Sequence, residues 1–293
     1  MHKNYAAAGQ ELTHRSPSIA TIQDYASPAH KLWAQLTHEA ESAANGSPIK
    51  RKILRPILES YDMKEGLATI LARGATDDIF TADGLKSLFH DLLKQAPSTL
   101  DLSIKDLQAT LQNDPAATNP LIPFMYQKGY HAIQTHRLIH LLWQNGEDHI
   151  AFYLQNRSSL LYGVDIHPAA QLGSGIMLDH ATGLVIGETA VVEDNVSLYQ
   201  SVTLGGTGNQ RGDRHPKVRQ GAIIGAGAKV LGNIEIGEGS KIAAGSVVLK
   251  DVPAHVTVAG VPAKIVKEKL DKTHRSLTFT STGLSSYAGQ MIG

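Results

Sequence analysis

From Ile166 onward an aliphatic residue returns at every sixth position. Ile166, Leu172, Leu178 and Leu184 form one series, and after a two-residue slip it resumes at Ile186, Val192, Leu198 and Leu204. A longer interruption follows, and then Val218, Ile224, Val230, Ile236, Ile242 and Val248 continue the pattern. Such a period fits neither a helix nor the simple alternation of a strand, and a fixed repeat constrains a fold more than local propensity does. Each hexad makes a short strand and a corner, three hexads close a triangular coil, and coils stack at about 4.8 Å. The aliphatic side chain points inward onto its equivalent in the next coil. The Gly or Ala early in many hexads (IGAGAK, IGEGSK, IAAGSV) stands where a larger side chain would clash at a tight turn. The spacing predicts a parallel β-helix of roughly five coils.

Composition divides at the same point. Of 27 glycines, 17 lie between Gly163 and Gly260, and Tyr199 is the only Phe, Trp or Tyr from Val164 to Pro262. No large ring fits so narrow an interior. Lys and Arg together number 27, as do Asp and Glu, so the net charge is zero. That balance speaks against a nucleic-acid or polybasic membrane partner, which needs an excess of cations. The absence of cysteine excludes disulfides, thiolate-bound zinc, iron–sulfur clusters and a cysteine nucleophile. The N-terminal residues lack the apolar core of a signal peptide, and no stretch approaches the ~18 apolar residues of a spanning helix. A soluble, cytoplasmic chain is expected.

The first half reads as helices over 31–44, 49–61, 64–73, 83–95, 101–112, 121–144 and 148–162, punctuated by Asn-Gly and proline. The expected division is residues 1–28 poorly ordered, 29–162 a helical assembly domain, 163–262 the β-helix, and 263–293 a C-terminal helix and flexible tail. His136 and His140 share a helix face, but no carboxylate or cysteine completes a metal-ligand set at helical spacing, so packing roles are expected for both. The insertion at residues 205–217, GGTGNQRGDRHPK, is polar and carries Arg211, Asp213, Arg214 and His215. A loop expelled from a regular solenoid is where function concentrates.

Five stretches carry a resemblance: VDIHPAAQLGSGIMLDHATGLVIGETAVVEDNVSLYQSVTLGGTG, GDRHPKVRQGAIIGAGAKVLGNIEIG, AAGSVVLKDVP, AGVPAKIV, and, in the helical part, NDPAATNPLIPFMYQKGYHAIQTHRLIHLLW. Over residues 113–266 the chain resembles the serine O-acetyltransferases, left-handed β-helix enzymes that open cysteine biosynthesis. The hexads alone indicate only the wider hexapeptide-repeat superfamily; LDHATG, GGTG, GDRHPK and the NDP element point to the serine enzymes. The resemblance implies an α+β chain in which His180 is the general base and Asp165 orients its imidazole. It implies that Arg214 and His215 face the substrate carboxylate and that Asp114 and Asp179 receive its ammonium. Gly206, Ala226 and Ala244 match positions along a coenzyme A groove. Acetyl-CoA is then a co-substrate, with no permanently bound cofactor and no metal.

The residue types suit that chemistry. A serine hydroxyl is a weak nucleophile at neutral pH and needs a base, which histidine supplies. A carboxylate can fix the tautomer of that histidine, as in a hydrolase triad, while the activated hydroxyl belongs to the substrate. Arg214 with Asp114 and Asp179 complements a zwitterion. Backbone N–H groups near Gly205 and Gly206 are candidate donors to the oxyanion. In an ideal 18-residue coil, however, Asp165 stacks on Gly183, three residues past His180, or near 10 Å away. Contact between Asp165 and His180 therefore needs an irregular first coil.

Other readings are a hexapeptide acetyltransferase for another small hydroxyl or amine acceptor, a zinc hydratase on the same solenoid, and a non-catalytic scaffold. The solenoid's histidines, His167, His180, His215 and His255, lack the convergent spacing zinc requires. His180, Arg214 and His215 are all present, which a scaffold would not need. The resemblance also implies a homotrimer, or a dimer of trimers, with sites between neighbouring subunits, and feedback inhibition by L-cysteine. It implies docking of a C-terminal isoleucine into O-acetylserine sulfhydrylase, a pattern from which this chain departs by ending Met291-Ile292-Gly293.

Overall fold

The computed structural model describes residues 27–208 and 211–268. Nine helices are formed among the described residues: α1 (Pro28–Ala44), α2 (Pro48–Ile53), α3 (Arg55–Leu58), α4 (Met63–Ala75), α5 (Ala82–Gln95), α6 (Ser98–Asn113), α7 (Leu121–Tyr126), α8 (Lys128–Gln144) and α9 (Asp148–Tyr162). Their starts are set by side-chain caps. Ser27, Ser47, Asp62 and Thr81 accept N–H bonds from the first turns of α1, α2, α4 and α5. Leu36, Leu67, Leu71, Leu85, Phe89 and Phe124 are fully buried in the core these helices share.

Two expected helices are broken. The pattern over 49–61 divides at Leu54 into α2 and α3, because Pro56 offers no N–H and its ring crowds the preceding turn. The pattern over 121–144 divides at Gln127, whose backbone is extended (ψ 109). The cause is tertiary. The start of α8 presses so closely on the solenoid that a Cβ on Gly129 would lie 2.0 Å from the Leu178 carbonyl oxygen.

Gly163, left-handed at φ 66, ends α9 and admits the chain to the solenoid. Among the described residues, fourteen strands wind through three parallel sheets. The first holds β1 (Val164–Ile166), β4 (Leu184–Ile186), β7 (Thr203–Gly205), β10 (Lys229–Leu231) and β13 (Val247–Val248) in that order. The second holds β2 (Gln171–Leu172), β5 (Val191–Val192), β8 (Lys217–Val218) and β11 (Glu235–Ile236), and the third β3 (Met177–Leu178), β6 (Ser197–Leu198), β9 (Ile223–Ile224), β12 (Lys241–Ile242) and β14 (Val256–Gly260). The hexad residues stack in the predicted columns. One runs Ile166–Ile186–Leu204–Val230–Val248, a second Leu172–Val192–Val218–Ile236, and a third Leu178–Leu198–Ile224–Ile242–Val258. Leu184 lies outside them and pairs with Val164, both buried.

The register measures both irregularities. Val185 pairs with Thr203 and Lys229 with Val247, 18 residues apart in each case, whereas Asp165 pairs with Val185, 20 apart, and Thr203 with Lys229, 26 apart. The two extra residues fall at the corner between β3 (Met177–Leu178) and β4 (Leu184–Ile186). The eight others fall between β7 (Thr203–Gly205) and β8 (Lys217–Val218).

The expected C-terminal helix does not begin at residue 263. Ala263–Glu268 is a strand, β15, antiparallel to β14 (Val256–Gly260), and it closes the exposed edge of the last coil. Expectations for residues 1–26 and 269–293, including the sulfhydrylase contact, lie outside the described residues. Among the described residues no helix is long and apolar enough to cross a membrane.

Candidate functional site

The corner carrying the two extra residues, Asp179 to Gly183, faces the start of α8. Together they enclose a cavity of about 560 Å³. Asp179, His180 and Thr182 line its solenoid wall, and Asp114, Gln127 and Lys128 its helical wall. Asp114 caps the C-terminus of α6. Its Oδ1 accepts from the Ala116 N–H at 2.8 Å and its Oδ2 from Gln127 Nε2 at 2.8 Å, so the carboxylate is held in one orientation. His180 is 74% exposed in the single chain, with Nε2 3.9 Å from Asp179 Oδ1. His180 and Ala181 both adopt left-handed backbone angles, φ 52 and 58.

This corner heads an edge that runs down the solenoid. Gly183 donates to the Gly163 carbonyl, Ser201 to Thr182, Gly227 to Gln200 and Gly245 to Ala226, all at 2.7–2.8 Å. Ala226 and Ala244 therefore stand on the same edge as His180, and at ordinary coil spacing the edge reaches about 14 Å beyond Thr182. In its later coils this edge carries only small residues, Ala226-Gly227 and Ala244-Gly245.

Arg214, His215 and Gly206 form a second cluster at the neighbouring corner. Arg214 Nη2 donates to Glu188 Oε2 at 2.7 Å and Nη1 to the Gly212 carbonyl at 3.0 Å. The Arg214 guanidinium in turn holds the Glu188 carboxyl below its usual range. Thr189 Oγ accepts from the backbone N–H groups of Arg214 and His215, at 3.0 and 3.1 Å, and lies 2.9 Å from His215 Nδ1. The Thr189 N–H also donates to His215 Nδ1, at 3.1 Å. With Nδ1 accepting, the proton of the neutral ring belongs on Nε2. Burial lowers the pKa of His215, Arg214 and Lys217 add to that, and Glu188 opposes it, so the ring is neutral at physiological pH.

The ring of His215 lies directly on Gly187, where a Cβ would come 2.1 Å from Nε2. Gly187→Ala is expected to displace His215 and to cost about 1–3 kcal/mol by overpacking, measurable in a urea titration. An unchanged midpoint would show that the loop yields freely. Gly206 faces the Arg214 side chain, where a Cβ would lie 3.5 Å from Cγ, and not the edge that holds Ala226 and Ala244.

Asp165 sits on the sheet between the two corners. Its Oδ1 accepts from Gln155 Nε2 of α9 at 2.6 Å. Because Asp165 pairs with Val185, His180 is five residues from the stacked position. The first coil is irregular in the direction that separates the two residues, and no hydrogen bond or ion pair joins them among the described residues. His167 is held by the rings of Trp143 and Phe152, at 5.7 and 5.5 Å between centroids, and burial lowers its pKa.

His131, His136 and His140 serve the packing of α8, each with a ring nitrogen on a backbone carbonyl oxygen: Phe124, Ala170 and Pro168. Burial pushes the His136 pKa down to about 3. Sequence reasoning missed Gly187, Glu188, Thr189 and Gln127. The IGET run does not announce them, since other corners also carry carboxylates, as in VEDN and IGEG.

Residues 32–135 match the family model described as serine acetyltransferase, N-terminal, and residues 215–250 match bacterial transferase hexapeptide (six repeats). The serine acetyltransferase of Haemophilus influenzae is 46% identical over 238 residues, covering 81% of this chain and 89% of that one. The crystal structure of the Brucella abortus serine acetyltransferase in complex with coenzyme A aligns with a TM-score of 0.81 at 51% identity, covering 84% of this chain and 98% of that one. A serine acetyltransferase solved in complex with cysteine aligns at 0.79 and 46% identity, covering 81% and 99%.

Proposed function

The chain belongs to the serine acetyltransferase family, and we propose from that premise how its two corners share the transfer of an acetyl group from acetyl-CoA to L-serine. The products are O-acetyl-L-serine and CoA, on the route to cysteine. His180 takes the proton of the serine hydroxyl as the oxygen attacks the thioester carbon. The tetrahedral oxyanion, received by backbone N–H groups near Gly205 and Gly206, collapses with cleavage of the C–S bond. The imidazolium returns its proton to the departing thiolate, so the histidine ends as it began.

Asp114 and Asp179, from the two walls of one cavity, receive the substrate ammonium. Arg214, with its guanidinium already oriented by Glu188, takes the carboxylate, and His215 offers its Nε2–H. The edge bearing Ala226 and Ala244 accommodates the coenzyme A arm, with Gly206 at the neighbouring corner.

The observation that carries the reading is the division of the site. Asp114, Asp179 and His180 share one cavity, while Asp165, Arg214 and His215 occupy the adjoining face and corner. A cyclic trimer that sets the first corner of each copy against the second corner of the next completes three sites, with Asp165 reaching His180 across the interface. The helical region is then free to pair two trimers. Cysteine carries the ammonium and carboxylate of serine and competes for the same receptors as a feedback inhibitor. The family member solved in complex with cysteine supports this.

The test is release of free CoA thiol from acetyl-CoA with a panel of acceptors. L-Serine is expected to support turnover, and amine and sugar acceptors are not. Arg214→Ala is expected to raise KM for serine by about 10–100-fold, the value of a charge-assisted hydrogen bond. Turnover with another hydroxyl or amine acceptor but not serine would overturn the assignment of substrate.

A further inference from the structure

We infer that Lys128 is a positioning residue for this reaction: through the Thr182 hydroxyl it holds the His180 corner in the turn that aims the imidazole into the cavity. The inference rests on His180 acting as the base.

The corner is under local strain. It has two residues more than its equivalents in later coils, and His180 and Ala181 are consecutive non-glycine residues at φ 52 and 58. Each such residue costs on the order of 1–3 kcal/mol and persists only where its surroundings hold it. Within the corner, Thr182 N–H donates to the His180 carbonyl at 2.8 Å. From the neighbouring coil and the end of α9 come the bonds of Ser201 N–H to the Thr182 carbonyl at 2.8 Å and of Gly183 N–H to the Gly163 carbonyl at 2.7 Å.

A further restraint reaches the corner from the first residues of α8. Lys128 Nζ donates to Thr182 Oγ, and that oxygen lies 3.5 Å from the His180 carbonyl oxygen. Ammonium, hydroxyl and the backbone of the base thus form one connected chain. The next residue, Gly129, seats the helix against the Leu178 carbonyl, leaving no room for a side chain.

Lys128 also breaks a local rule. It opens a helix whose first turn has no acidic residue, where the helix dipole disfavours a cation by about 0.3–1 kcal/mol. Its hydrogen-bond partner is a hydroxyl and not a carboxylate, so no ion pair offsets that cost. A broken local preference beside a strained corner in the reaction cavity points to function rather than stability.

The test compares Lys128→Met, Lys128→Arg and Thr182→Val with the unmodified enzyme and with His180→Ala, measuring kcat, KM for each substrate and Tm. Lys128→Met is expected to lower kcat by about 10–100-fold while both KM values stay within about twofold, as for a misaligned base beside intact binding groups. Thr182→Val should reproduce the loss. Lys128→Arg, which keeps a donor and a charge, should recover most of kcat, with Tm unchanged throughout.

A Lys128→Met enzyme at full kcat, a loss that Arg does not rescue, or a loss that follows Tm would overturn the inference. An active His180→Ala enzyme would instead remove the reading on which it rests. An inactive His180→Ala beside a fully active Lys128→Met removes the role of Lys128 alone.

Discussion

Asp106→Ala is expected to destabilise the protein by about 3–5 kcal/mol, the usual result of removing one partner from a buried ion pair. Asp106 is completely buried at the junction of α6, α8 and the first coil. Its Oδ1 accepts from the Ile176 N–H at 2.9 Å and from Arg137 Nη2 at 3.0 Å. Its Oδ2 accepts from Arg137 Nε at 2.8 Å and Gln134 Nε2 at 2.9 Å. Arg137 donates further to the carbonyls of Leu172 and Gly173. Without the carboxylate, a buried guanidinium, an amide and a backbone N–H lose their acceptor together.

The double variant Asp106→Ala/Arg137→Met, which removes the charge as well as its partner, should regain much of the loss. Urea unfolding of the three proteins measures both effects. An Asp106→Ala midpoint equal to the original would show that the junction contributes little. The effect also extends to the site, because Asp106 lies two turns before Asp114 on the same helix. The bond to Ile176 fixes that helix to the coil that carries Asp179 and His180, so the width of the cavity between them depends on it.

The solenoid was legible in the sequence because its information is periodic. A buried aliphatic at each sixth residue and small residues at the corners specify strand, turn and stacking partner together. The columns of Ile186, Val192 and Leu198 follow directly. The break at Gln127 was not legible, since residues 121–144 keep a helical apolar pattern across Pro123 and Gly129, and the break answers to Leu178, far along the chain. Likewise Asp106 meets Ile176 across 70 positions with no repeat to announce it. The strand at Ala263–Glu268 reads equally well as a short helix until the open edge of β14 is present to pair with it.

For the proposed site, motifs supplied Asp114, Asp179, His180, Arg214 and His215, but not their division between two corners. The register of the first coil, 20 residues where an ideal coil has 18, adds to the separation of Asp165 from His180. Glu188 and Thr189 were hidden for a different reason. They occupy ordinary corner positions, and only the folded loop shows that they hold Arg214 and His215.

The division has a consequence larger than any single loss of function. His180→Ala alone is expected to lower kcat by about 10²–10⁴-fold, the contribution of a positioned base. Arg214→Ala combined with His215→Ala removes the groups of the other corner and should leave equally little activity at cellular serine concentrations. If each site were built within one chain, mixtures of the two defective proteins would remain defective. If each site draws His180 from one copy and Arg214 with His215 from the next, a mixed trimer contains interfaces that join two intact halves. For random assembly at equal amounts, about one interface in four pairs the intact corners, so co-expressed chains should recover up to about a quarter of the original activity. The recovery must appear in trimers carrying both chains, isolated by two different affinity tags, and not in proteins mixed after assembly without subunit exchange. Tagged mixed trimers without activity would return the whole site to a single chain. The 20-residue first coil would then have to bend far enough for Asp165 to meet His180 within it.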